Sequence, residues 1–344
     1  MKKDGKKLVR KFDLRLAKPV ICVDRLEGST EALVYKIHTI AKTGPRLMIE
    51  SELYAYRQLE KILKKSKNKV FPKIVSVINK GSKFATLFLE PIHGEVMEKS
   101  ILKIGEMAKI FGANDQRVLK QQEVVCEMTE KIFSNLKILH RPIKMNGRDT
   151  KSELRNFVLE MENALGENLR LANIGIRYPR FSDEEHFWAK GVVSAAHRDL
   201  SVVNIIGDES AVRFIDPRFI VPNGKTKSQF ASAAIDFAAL SISFERKELE
   251  IQNVVPELVL AARKLVEVEI RKMLDSNSIN RSILMLSSAT IRSAYVACRC
   301  KYCLAPEREW LYKHMVMTTI SDIKLLGGEE NGKNSHGRSR WSSM

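Results

Sequence analysis

At 344 residues the chain is longer than one hydrophobic core usually supports, which points to two lobes or domains. No run approaches the ~20 consecutive apolar residues of a membrane-crossing helix, which excludes membrane insertion. The basic N-terminus MKKDGKKLVRKFDLRL has no apolar stretch behind it, so it does not read as a signal peptide and the chain is expected in the cytoplasm.

In chain order, residues 18–25 (KPVICVDR) and 31–40 (EALVYKIHTI) are rich in β-branched and apolar side chains. They predict two strands around the polar turn Leu26-Glu27-Gly28-Ser29-Thr30. Across 46–65, Leu47, Leu53, Tyr56, Leu59 and Leu63 recur at helical spacing. Residues 73–79 and 83–90 predict a hairpin closed by Lys80-Gly81-Ser82. The remainder is helical in pattern, over 97–112, 117–140, 150–171 and 183–193, then 229–246, 255–275, 278–302 and 306–326. Two short apolar runs at 202–206 and 212–215 interrupt it around Gly207-Asp208-Glu209. From Gly327 the sequence is rich in Gly, Ser and Asn and predicts a disordered tail. The expected fold class is α+β. A sheet-rich N-lobe (1–90) carries one helix, a hinge follows at 91–94, and a larger, mostly helical C-lobe covers 95–326, with 327–344 as tail.

The net charge is +17, and eight of the lysines fall within 61–83. A surface for nucleic acid or another polyanion is one reading. A solvated lysine-rich face is favoured, because aromatic side chains do not interleave with these lysines. Five cysteines, three of them in CRCKYC (298–303), argue against a disulfide framework. A metal there would need a fourth ligand, for which His314 is the nearest candidate. Small apolar residues on a helix is the plainer reading. Gly224-Lys225-Thr226 echoes the end of a phosphate-binding P-loop, but Phe219 stands where that motif needs glycine.

The segment AAHRDLSVVNIIGDESAVRFIDPR concentrates chemistry: His197, Asp199, Asn204 and Asp216. Phosphoryl transfer spreads negative charge over the moving group, and Mg²⁺ neutralises it. Asn204 and Asp216 are oxygen donors suited to Mg²⁺, and Asp199 could accept or orient the proton of an attacking hydroxyl. His197 more plausibly packs within the loop than reacts. Asp236 is read either as a helix N-cap or as a brace for the loop.

HRDLSVVN resembles the H-x-D-x-x-x-x-N catalytic loop of the protein-kinase-like fold, and Asp216, 17 residues after Asp199, resembles its metal-binding aspartate. Asp216-Pro217-Arg218 departs from the D-F-G of protein kinases. About 100 residues separate Gly94 from His197, and Asp236-Phe237-Ala238 follows. In these respects the chain is similar to the aminoglycoside phosphotransferase and choline-kinase-like family. That resemblance implies ATP and Mg²⁺ as cofactors. It implies Lys36, in ALVYKIH, as the lysine that holds the α- and β-phosphates, and Glu52 as its helix partner, with Glu50 as fallback. Gly28 and Ser29 would then cover the phosphates, and backbone groups near Glu90 and Ile92 would meet adenine. The expected activity is transfer of the γ-phosphoryl group to a hydroxyl of a small molecule. The alternatives are an atypical protein kinase, which Arg198 between His197 and Asp199 favours, and a polyanion-binding pseudokinase.

Overall fold

The computed structural model describes residues 11–13, 18–23, 39–80, 83–90, 92–143, 150–178, 180–185, 191–217, 230–302 and 308–328. Strands β1 (Lys11–Asp13), β2 (Lys18–Val23), β3 (Thr39–Pro45), β4 (Ile74–Lys80) and β5 (Phe84–Leu89) form one antiparallel sheet in the order β1-β2-β3-β5-β4. Helix α1 (Arg46–Leu63) follows β3 without a break and packs on β3 and β5. Its buried stripe runs Ile49, Glu52, Tyr56, Leu59 and Leu63, steps of three and four residues that keep one helix face against the sheet. This corrects the expected stripe at its start: Leu47 is 81% exposed, and the position facing the sheet one turn before Tyr56 holds a carboxylate. Of the strand expected at 31–40, only the last two residues are described. β3 begins at Thr39 and continues through Gly44 and Pro45, whereas 31–38 lie outside the described residues.

A short helix α2 (Lys67–Val70) leads into β4. Past the hinge, β6 (Glu95–Val96) pairs with β8 (Ile205–Gly207), which pairs in turn with β9 (Val212–Phe214). Gly94 makes this approach feasible. Its φ is +95°, and a Cβ there would lie 1.9 Å from the Gly207 carbonyl oxygen.

The helical half contains α3 (Met97–Phe111), α4 (Gln116–Leu139), α5 (Thr150–Leu171), α6 (Ala234–Gln252), α7 (Ala261–Asp275), α8 (Arg281–Tyr302) and α9 (Glu309–Gly328). Asp115 caps α4 by accepting from the Arg117 amide at 2.9 Å. Helix α6 is buried nearly all round, with α3, α7, α8 and α9 packed on it. Three expectations are corrected. Val193–Ala195 is a strand, β7, not the end of a helix over 183–193. It pairs with β10 (Phe230–Ser232), so the helix expected from 229 starts at Ala234. The helix α9 continues through Gly328, past the expected start of the tail.

No helix among the described residues is long and apolar enough to cross a membrane. A small antiparallel sheet with one helix, joined by a short linker to a larger helical half, is the bilobal protein-kinase-like arrangement.

Candidate active site

Strand β7 delivers the chain to Ala196 and His197, where the loop turns sharply. The turn is held by Asp236, in the first turn of α6 and fully buried. Its carboxylate accepts from the backbone amides of His197 (2.8 Å) and Arg198 (2.7 Å), and His140 Nε2 lies 2.9 Å away. Burial alone would raise the Asp236 pKa. The side-chain hydrogen bond of His140 and the backbone hydrogen bond of His197 outweigh it and hold the carboxyl below its ordinary value. Of the two readings of Asp236, the brace of the loop holds and the N-cap does not: the N-cap of α6 is Ala233. Two adjacent amides can point at one carboxylate because Arg198 adopts φ +66°, an uncommon conformation for a side-chain-bearing residue.

His197 is fully buried, stacked on Phe71 and edge-on to Phe214. Its Nε2 lies 2.8 Å from the Ile215 carbonyl, and the Asp199 amide donates to Nδ1 at 3.3 Å. A carbonyl oxygen can only accept and an amide N–H can only donate, so the ring is neutral with its proton on Nε2. It ties the start of the loop to the residue before Asp216. The Arg198 guanidinium grips both oxygens of Glu160 on α5, at 2.7 and 2.9 Å, which fastens that helix to the loop.

Asn204 Nδ2 donates to the Asp199 carbonyl at 2.8 Å, and the Ile215 amide donates to the Asn204 carbonyl at 2.9 Å. Asp199, Asn204 and Asp216 are therefore linked through one short hydrogen-bond network. Asp216 is buried, at φ +61°. Its carboxylate forms an ion pair with Lys42 of β3, and Lys42 Nζ also donates to Glu52 at 2.5 Å. This amine joins the two lobes.

The lysine expected here was Lys36, which lies outside the described residues, as do Gly28 and Ser29. The amine that reaches Glu52 and Asp216 is Lys42. Its local signal was weak: IAKTGP reads as the lead-in to a turn, while ALVYKIH has the stronger β-pattern. At the hinge, the Glu90 amide donates to the Lys73 carbonyl at 2.9 Å, so that residue can offer a ligand only its carbonyl. Ile92 is half-buried beside it. His314, considered as a metal ligand, lies with Nε2 2.7 Å from Glu245 instead.

Whether Mg²⁺ suits this site is decided by its donors. The Asn204 amide nitrogen is committed to Asp199, which leaves Oδ1 as the atom that can ligate a cation. Asp216 supplies a carboxylate. Glu52 and Asp216 both bring a carboxylate to Lys42. Among the described residues no three His, Cys, Asp or Glu side chains form a metal cage. Mg²⁺ commonly needs no more than one or two protein oxygens plus phosphates and water. The residues fit the ion.

A sheet-and-helix lobe facing a helical lobe, with a lysine–glutamate–aspartate ion pair bridging them above an H-x-D-x-x-x-x-N loop, defines the fold class, the protein-kinase-like fold. Among solved structures, the chain is similar to a glucosamine kinase (11% identity, covering 91% of this chain and 79% of that one, TM-score 0.46). It is also similar to an aminoglycoside-3'-phosphotransferase of type VIII (13%, 82% and 94%, TM-score 0.43). A third is an aminoglycoside phosphotransferase from Streptomyces rimosus in complex with ADP and streptomycin (17%, 76% and 86%, TM-score 0.39). No protein-family model matches the chain, and no curated protein matches it.

Proposed function

We propose that this protein is an ATP- and Mg²⁺-dependent phosphotransferase that moves the γ-phosphoryl group to a hydroxyl of a small molecule. The observation that carries this reading is the buried ion pair of Lys42 with Glu52 and Asp216, set across from the loop that holds Asp199 and Asn204. Asn204 Oδ1 and Asp216 would hold Mg²⁺, which when bound neutralises charge on the phosphates. Lys42, kept in place by Glu52, exchanges its contact with Asp216 for the α- and β-phosphates. Asp199 orients the acceptor hydroxyl and takes its proton. The backbone near Glu90 and Ile92 would meet adenine. Arg198 and Asp236 fix the loop, so that these groups meet the substrate already oriented.

The acceptor is a neutral or anionic hydroxyl compound, such as a sugar or sugar-like metabolite, not a polycation. Acids that could recruit a polycation are engaged within the chain: Glu160 by Arg198, Glu162 by Ser182, Glu167 by Arg170, and Asp183 by Arg155. Arg198, which suggested a protein kinase, is likewise occupied by Glu160. The test is Mg²⁺-dependent ATP consumption across a library of hydroxyl compounds. Stimulation by a neutral or anionic acceptor is expected. No turnover with any hydroxyl acceptor would remove the reading, and stimulation by polycationic hydroxyl compounds alone would remove its acceptor class.

A further inference from the structure

A cavity of about 240 Å³ opens between α4, α6 and α7, and none of Lys42, Glu52, Asp199, Asn204 or Asp216 lines it. Its wall is largely apolar, built from Phe133, Leu136, Phe237 and Met273 among others. Two buried polar side chains also line it. His140 has a side chain only 4% exposed, and Ser194 is 1% exposed. His140 Nδ1 and Ser194 Oγ have no hydrogen-bond partner among the described residues. An unpaired buried polar atom costs on the order of 1–3 kcal/mol, so two in one wall call for an occupant that can bond to them. Water serves such a space poorly, since each molecule needs about two to four polar partners.

Size and chemistry narrow the occupant. An apolar cavity of ~150 Å³ holds a benzene ring, so this one admits a ring with one or two substituents. The Asp236 carboxylate can only accept, so His140 Nε2 donates to it, which leaves Nδ1 to bond a hydroxyl, a group that can both donate and accept. Ser194 Oγ can donate or accept. Lys137, in the last turn of α4, and Arg141, just past its end, are exposed and also line the cavity; Glu269, which lines it too, is paired with Lys272, so the two cations favour an anionic group. We propose that this cavity is a binding site for a compact aromatic acid bearing a ring hydroxyl. The ring packs on Phe133, Leu136 and Phe237, the hydroxyl serves His140 and Ser194, and the carboxylate meets Lys137 and Arg141. Such a ligand would sit two hydrogen bonds from the catalytic loop, since His140 contacts Asp236 and Asp236 holds the His197 and Arg198 amides.

The experiment titrates 4-hydroxyphenylacetate into the full chain by calorimetry, which reads binding independently of phosphoryl transfer. Saturable binding at millimolar concentration is expected. Phenylacetate, which lacks the hydroxyl, should bind about tenfold more weakly. Met273→Trp, which fills the cavity, should abolish binding, and the surface double variant Lys137→Glu/Arg141→Glu should weaken it about tenfold or more. The surface variant keeps the test sound if the core variant fails to fold. No saturable binding, equal binding of the two acids, or an affinity that the surface variant leaves unchanged would each overturn the proposal.

Discussion

Lys42 brings one positive charge to two carboxylates in a place almost closed to water, with both partners also buried. Replacing one member of a buried charged group leaves the others unbalanced, which typically costs about 3–5 kcal/mol. Lys42→Met keeps most of the side-chain volume. It should lower stability by roughly 3 kcal/mol in chemical denaturation and reduce Mg²⁺-ATP turnover by about 100-fold or more. A variant with ordinary stability and turnover would show that the amine is not part of the site. Asp199→Ala should reduce kcat far more than it raises KM for ATP, since the role proposed for Asp199 is on the acceptor hydroxyl and not on the nucleotide. Asp216→Ala should abolish Mg²⁺-dependent turnover while circular dichroism remains native. Full activity in either variant would remove its assigned role.

At the scale of elements, two joints set the geometry. Helix α1 presents Glu52 to the sheet because position 52 falls on the same face as Ile49, Tyr56 and Leu59. The cost of placing a carboxylate there is visible next door: burial, then the Glu52 charge, pushes the Tyr56 phenol well above its usual range. The other joint is the pairing of β6 with β8, where the segment after the hinge lies directly against Gly207. Gly94→Ala combines a left-handed φ with a Cβ inside another backbone's space, and should destabilise the chain by roughly 2–4 kcal/mol. A melting temperature unchanged by this substitution would contradict the close approach. The second joint connects residues far apart in sequence, and each joint has no local signature beyond a single glutamate or a single glycine.

At the scale of the molecule, a second buried charge network holds the helical half together. Glu245 on α6 accepts from Arg292 of α8 at 2.7 Å and lies 2.7 Å from His314 Nε2 of α9, while Arg292 also donates to Asp322 of α9 at 2.6 Å. Burial pushes the Glu245 carboxyl up, but the His314 hydrogen bond and the Arg292 charge prevail and hold its pKa at about 2. A carboxyl lowered in the folded state stabilises while it is ionised. Its contribution is full above pH 4.5, the ordinary value, and disappears as pH falls toward 2. Thermal unfolding should therefore show a loss of roughly 3 kcal/mol across that interval. Glu245→Gln should flatten the slope there; an equally steep acid profile in the variant would place the linkage elsewhere.

The sequence by itself determined the chemistry-bearing loop and the division into a strand-rich and a helical part. Asp199, Asn204 and Asp216 lie within 18 residues of one another, and helices such as Gln116–Leu139 and Thr150–Leu171 carry long apolar periodicities that local side-chain spacing is enough to reveal. Tertiary structure alone decided which lysine faces Glu52, that Val193–Ala195 is a strand, and that Asp236 takes the His197 and Arg198 amides. Those outcomes depend on partners from distant parts of the chain. A short strand is stabilised by the strand beside it, and a buried charge by the groups that surround it, and neither neighbour is written into the local pattern.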